Sequence, residues 1–127
     1  MVYGMPLGTK EGVGLHELGI MYHVVNQVEK IARQNRLTEI EALVLQIGEL
    51  SSVVPQFIRA CYPAAADGTL LQKALLEIEI LPANALCRGC GKIYHLPLGN
   101  RKCPHCENPD YELLCGREFN IKEIRAR

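Results

Sequence analysis

Residues 39–48 read Glu39-Ile40-Glu41-Ala42-Leu43-Val44-Leu45-Gln46-Ile47-Gly48, and this stretch decides the fold class. Ile40, Ala42, Val44 and Gln46 point one way; Leu43, Leu45 and Ile47 point the other. A run of this kind predicts a strand buried on most of one face and part of the second. Gly48 ends it. Such a strand needs cover, and both flanks supply helices. Upstream, Leu18, Met21, Val24, Val25, Val28, Ile31 and Ala32 recur at three- and four-residue steps, which predicts an amphipathic helix over 16–35. Glu17 in its first turn and Lys30 and Arg33 near its end suit the helix dipole. Asn35 is a fitting stop. Downstream, Ser51 or Ser52 can cap a second helix, Pro55 suits its first turn, and Phe57, Ile58, Cys61 and Tyr62 form its apolar side. Pro63 predicts a kink there, or an end near Tyr62.

Further out, Asp67-Gly68 marks a turn. Residues 74–81 alternate, with Leu76, Ile78 and Ile80 on one side and Glu77 and Glu79 on the other, as in a half-exposed strand. Residues 117–125 read as a last strand with Phe119 and Ile121 inward. The predicted order is helix, strand, helix, strand, cysteine module, strand: an α/β protein. Residues 1–14 hold four glycines and a proline without periodicity and read as a flexible leader.

The chain has 127 residues, of which 48% are apolar and 22% charged, enough for one compact core and too few charges for disorder. Lys+Arg and Asp+Glu are each 14, so the formal net charge is +0. A neutral chain lacks the footprint of a phosphate-backbone binder or of a polybasic membrane-surface protein. No apolar run is long enough to span a bilayer, and the start lacks the pattern of a secretory signal. The expected location is the cytoplasm, where six cysteines mean metal or redox chemistry, not a disulfide framework.

Cys87-x-x-Cys90 and Cys103-x-x-Cys106 carry the chemistry. Each C-x-x-C can place two thiolates on one ion, and two such knuckles complete a tetrahedral site. Soft thiolates in that geometry favour zinc or iron, and the spacing points to structural zinc. Gly91 permits a left-handed turn under the metal. The competing reading is a pair of redox dithiols. Those open a helix after a strand, whereas these sit in a Gly/Pro/Asn-rich segment. A four-thiolate sphere also leaves no position for a catalytic water. His95 and His105 read as solvent-facing loop histidines and His23 as a partly exposed helix residue. Cys61 reads as a small core residue, and Cys115 has no C-x-x-C partner.

Several segments together resemble the HypA/HybF family of nickel metallochaperones. They are His16-Glu17-Leu18, Leu45-Gln46-Ile47-Gly48-Glu49-Leu50-Ser51, Leu76-Glu77-Ile78-Glu79, the four cysteines, and the stretch from Gly116 to Ile124. The resemblance implies a three-stranded sheet with two helices and an inserted four-cysteine zinc-ribbon module. It divides the chain into a nickel-binding α/β domain, 15–82 with 115–127, and a zinc-binding module, 83–114. It implies delivery of Ni(II) for maturation of [NiFe]-hydrogenase and, in some organisms, of urease. It implies zinc on Cys87, Cys90, Cys103 and Cys106, nickel on His16 and Glu17, and no catalysis. The implied partners are the maturation GTPase HypB and the hydrogenase large-subunit precursor, with the chain a monomer or weak homodimer and no nucleic acid or membrane bound. In the family's pattern the His is the second residue, so the terminal amine and backbone nitrogens can join the imidazole around nickel. Here Leu15 and fourteen upstream residues stand in that place.

The alternative is a zinc-ribbon interaction module without nickel delivery, binding protein or nucleic acid through Arg88, Lys92, Arg101 and Lys102. Glu107, Asp110 and Glu112 lie close by and oppose it.

Overall fold

A computed structural model of the chain describes residues 10–96 and 101–127, with side chains from His16 onward. Helix α1 spans Lys10–Gln34, strand β1 Ile40–Gly48, helix α2 Pro55–Ala66 and strand β2 Leu75–Leu81. Three short strands follow, β3 Asn84–Cys87, β4 Ile93–His95 and β5 Tyr111–Cys115, and β6 runs over Phe119–Ala126. The strands form two sheets, ordered β2-β1-β6 and β4-β3-β5.

The first sheet is built on β1. Gln46 Nε2 donates to Glu79 Oε1 at 2.9 Å and Glu49 N donates to Leu81 O at 2.8 Å, so β1 and β2 advance in the same direction. A parallel pair needs a crossover, and α2 supplies it. On the other side, Arg127 N donates to Glu39 O and Gly48 N to Glu118 O, so β6 runs against β1. Leu43, Leu45 and Ile47 on one face of β1 are fully buried. Ala42 and Val44 on the other face are nearly so. Arg125 of β6 reaches across β1 to Glu77 of β2, with Nη1 2.7 Å from Oε2. Glu77, paired with Arg125, and Glu79, paired with Gln46, are half-buried, where alternation alone predicts exposure; Ile80 is exposed instead.

Three boundaries differ from the sequence reading. Helix α1 starts at Lys10, so residues 10–14 of the expected leader are helical; residues 1–9 lie outside the described residues. Helix α2 does not end near Tyr62 but continues through Pro63 to Ala66. Proline there forfeits one bond in the final turn, while Ala65 and Ala66 beyond it are buried, and Tyr62 Oη anchors the helix by donating to the carbonyls of Leu71 and Ala74. That burial pushes the Tyr62 phenol up to about 12. Neither Ser51 nor Ser52 caps α2; Val54 holds the cap position without a side-chain bond, and Pro55 follows as expected.

The chain divides into two compact units: the described parts of Met1–Leu45, Val53–Ile78 and Ile121–Arg127, and those of Gln46–Ser52 and Glu79–Asn120. The first buries Met21, Val25, Val28 and Ala32 of α1 with Leu43 and Leu45 of β1 and Ile58 of α2. The second has its own small core of Ala83, Ala85, Cys87, Tyr94, Leu96 and Cys103, with Leu50, Tyr111 and Leu113 packed against it.

Candidate metal centres

The four C-x-x-C cysteines meet in the second unit. Strand β3 delivers Cys87 at its end, with Leu86 paired to Ile93 of β4 and Cys87 to Tyr111 of β5. All four Sγ atoms lie within 4.8 Å of one another. Cys87 and Cys106 are 3.4 Å apart and Cys90 and Cys103 3.7 Å. A tetrahedral zinc ion with Zn–S bonds of about 2.3 Å sets sulfur–sulfur edges of about 3.8 Å, so the cluster fits zinc with little adjustment.

The two knuckles repeat each other in detail. Cys87 and Cys103 are buried, Cys90 and Cys106 exposed. Gly91 N donates to Cys87 O at 2.9 Å, and Glu107 N donates to Cys103 O at 2.8 Å. Gly91 and Glu107 both take positive φ, 76° and 62°. The glycine was legible as a left-handed turn; the glutamate at the matching place was not. Amides of Gly89 and Cys90 point at Cys87 Sγ, and the His105 amide at Cys103 Sγ. The Cys90 amide leads in drawing the Cys87 thiol down to about 6. The Asn108 amide draws Cys106 down, but hydrogen bonding with Cys87 and burial outweigh it and hold that thiol at about 11.

His16 and Glu17 lie in the first unit, on α1. Both are buried, Glu17 to 1% exposure. His16 Nδ1 stands 3.7 Å from Glu17 Oε2. That same oxygen accepts the Val54 amide at 3.2 Å, so Glu17 serves the otherwise uncapped start of α2 with a carboxylate placed where the helix dipole favours one. Its other oxygen, Oε1, is buried without a hydrogen-bond partner. His23 is exposed on the same helix.

The remaining residues fall elsewhere. Cys61 is half-buried on α2, and burial leads in raising its thiol, with Glu17 adding. Cys115 donates to Pro82 O at 3.4 Å. His105 is exposed between its two cysteines. His95 is not a loop residue: it sits on β4, and its Nε2 meets Glu49 Oε1 at 2.7 Å, the oxygen that also accepts the Ala83 amide. Sequence reading missed this role of Glu49, since nothing local couples residues so far apart in the chain. Among the described residues no helix is long and apolar enough to cross a membrane.

Residues 15–126 match the family described as "Hydrogenase/urease nickel incorporation, metallochaperone, hypA". The chain belongs to the HypA family. It is 36% identical over 110 residues to the hydrogenase maturation factor HypA of Chlorobium limicola, covering 87% of this chain and 95% of that protein. The HypA of Geobacter sulfurreducens is 34% identical over 112 residues, covering 88% and 99%. The fold is that of solved HypA structures. The solution structure of the Ni metallochaperone HypA from Helicobacter pylori has a TM-score of 0.61 at 19% identity, covering 87% of this chain and 96% of that one. The chain is thus a nickel metallochaperone and maturation factor of the hydrogenase type, with nickel as cargo and a four-cysteine cluster that fits a structural zinc ion.

Proposed function

We propose that His16 and Glu17 receive the nickel and that Cys87, Cys90, Cys103 and Cys106 hold the zinc. The observation that supports the nickel half is the buried imidazole–carboxylate pair, with one carboxylate oxygen unused. The zinc half rests on the paired knuckles, whose four thiolates close the coordination sphere and so serve folding instead of hydrolysis. On this reading residues 15–82 with 115–127 are the nickel-binding domain and 83–114 the zinc module. The chain catalyses nothing; it holds nickel and hands it on. It carries no P-loop, so GTP hydrolysis belongs to its partner HypB, and the hydrogenase large-subunit precursor is the recipient. The place of work is the cytoplasm, where thiols stay reduced and available to zinc, and the chain acts as a monomer or weak homodimer. The same reading has it bind neither nucleic acid nor membrane: the knuckle cation Arg88 is answered by Asp110 at 3.3 Å.

Metal analysis of the purified 127-residue chain tests both halves. Zinc is expected to survive His16→Ala and be lost in Cys103→Ala, and nickel binding to be lost in His16→Ala. Nickel binding undiminished in His16→Ala overturns the nickel assignment, and full zinc in Cys103→Ala overturns the zinc one.

A further inference from the structure

The two cysteine knuckles repeat each other except at one place. Cys87 Sγ receives the amides of Gly89 and Cys90, at 3.3 and 3.4 Å. Cys103, the buried cysteine at the matching place, receives the His105 amide at 3.4 Å. Among the described residues no second amide reaches its sulfur. Each N–H or O–H aimed at a metal-bound thiolate lowers the energy of its charge. Cys103 has one such donor fewer than Cys87.

An unused donor lies in the same small core, which Tyr94 shares with Cys87 and Cys103. Strand β4 sets Tyr94 opposite Ala85 of β3, and Cys87 follows two residues on along the same face. Tyr94 is 5% exposed, and its Oη is buried with no hydrogen-bond partner. Tyr111 of the same core differs, since its Oη accepts from Arg101 Nη1 at 3.5 Å. A buried hydroxyl without a partner is costly. Burial first, then the charge of Cys103 ahead of that of Cys87, raises the Tyr94 phenol above its ordinary value, so it keeps a proton to donate.

We propose that the Tyr94 hydroxyl donates a hydrogen bond to Cys103 Sγ when that sulfur is a metal-bound thiolate, supplying the donor that the second knuckle lacks. The inference rests on the reading that the four cysteines hold zinc. A thiol is a weak acceptor and a thiolate a strong one, so the bond belongs to the loaded cluster. It satisfies the buried hydroxyl and the sulfur together. Tyr94 is on this account a positioning residue: it touches no metal and acts through a ligand.

Tyr94→Phe in the full chain tests it, because it removes the hydroxyl and keeps the ring that fills the core. Zinc affinity, read by competition with a chelator, is expected to fall about tenfold, the size typical of losing a partner to a metal ligand. A hydroxyl that stays unpartnered with zinc bound predicts the opposite: its removal relieves a buried polar group, and affinity holds or rises. Either of those results overturns the proposal. Cobalt(II) in place of zinc separates a hydrogen bond from packing alone. The bond holds the sulfur lone pairs low in energy, so the thiolate-to-cobalt charge-transfer band of Tyr94→Phe is expected at longer wavelength than that of the unmodified chain. Tyr111→Phe, which removes the other hydroxyl of this core, is expected to leave the band in place. An unshifted band in Tyr94→Phe, or an equal shift in Tyr111→Phe, overturns the proposal even where affinity falls. Cys103→Ala keeps the two levels apart. Full zinc retained there removes the underlying reading, while zinc lost there together with an unmoved band in Tyr94→Phe removes only the hydrogen bond.

Discussion

A Cβ placed on Gly48 would run into the carbonyl oxygen of Gly116 and stand 2.6 Å from Arg117 N. On Gly91 it would meet nothing, and only the φ of 76° resists it. The two glycines are required for different reasons, and alanine should distinguish them. Gly48→Ala is expected to cost about 2–4 kcal/mol, since backbone must move, and Gly91→Ala about 1 kcal/mol from the left-handed conformation alone. Denaturant unfolding of both variants checks the order. Glu49 makes a second test at this scale. The Ala83 amide, then His95, holds its carboxyl below the ordinary value of 4.5. A carboxylate lowered on folding adds stability above its unfolded value and loses it as pH falls through the folded one. The difference in unfolding midpoint between wild type and Glu49→Gln is therefore expected to be widest near neutrality and to close as pH drops below 4.5; a gap that persists in acid contradicts it. Of these residues the cysteines were legible because two ligands of each knuckle are neighbours in sequence. Glu49 with His95 was not, because only the folded backbone brings them together.

Element boundaries followed propensity until burial outweighed it. The apolar stripe of α1 was visible in residues 21–32, but nothing in it marked Glu17 and His16 as buried. Their depth comes from packing against α2, which no window on α1 contains. Gly12 and Gly14 argued for a leader, and the helix forms through them nonetheless. At Pro63 a local penalty is overcome by the burial of Ala65 and Ala66 and the tether of Tyr62. That penalty should still be measurable. Pro63 is exposed, so Pro63→Ala is expected to raise stability by about 1 kcal/mol, less than the full helix-interior value because only the last turn is affected. A thermal melt that shifts down instead would show that proline's restriction of the unfolded chain dominates. The β strands of the cysteine module went unread because β3 and β4 are too short for alternation to register.

Both helices lie in the first unit, and β3, β4 and β5 lie wholly in the second. Spectroscopy can therefore follow the units apart. Cys103→Ala is expected to lose zinc and the order of the second unit, whose core includes two of the ligands themselves, Cys87 and Cys103. The far-ultraviolet helix signal should remain nearly whole, because α1 and α2 share a core without metal; its collapse would mean the units fold only together. The α/β class and the element order were legible in the sequence because β1 is apolar on two faces and flanked by helical periodicities. The Arg125–Glu77 ion pair was not, since it depends on β6 and β2 flanking β1.

The return of β6 to β1 has a consequence for how the chain is made. Glu39 and Arg127 are hydrogen-bonded neighbours in the sheet yet stand far apart in the sequence, whereas β3, β4 and β5 find each other within 84–115. A ribosome feeds out residues in order, so every partner the cysteine module needs has emerged before β1 receives its second neighbour. During synthesis the unsatisfied edge of β1 waits exposed, and the interval until β6 arrives is when a nascent chain is most open to mispairing or to a chaperone's grip.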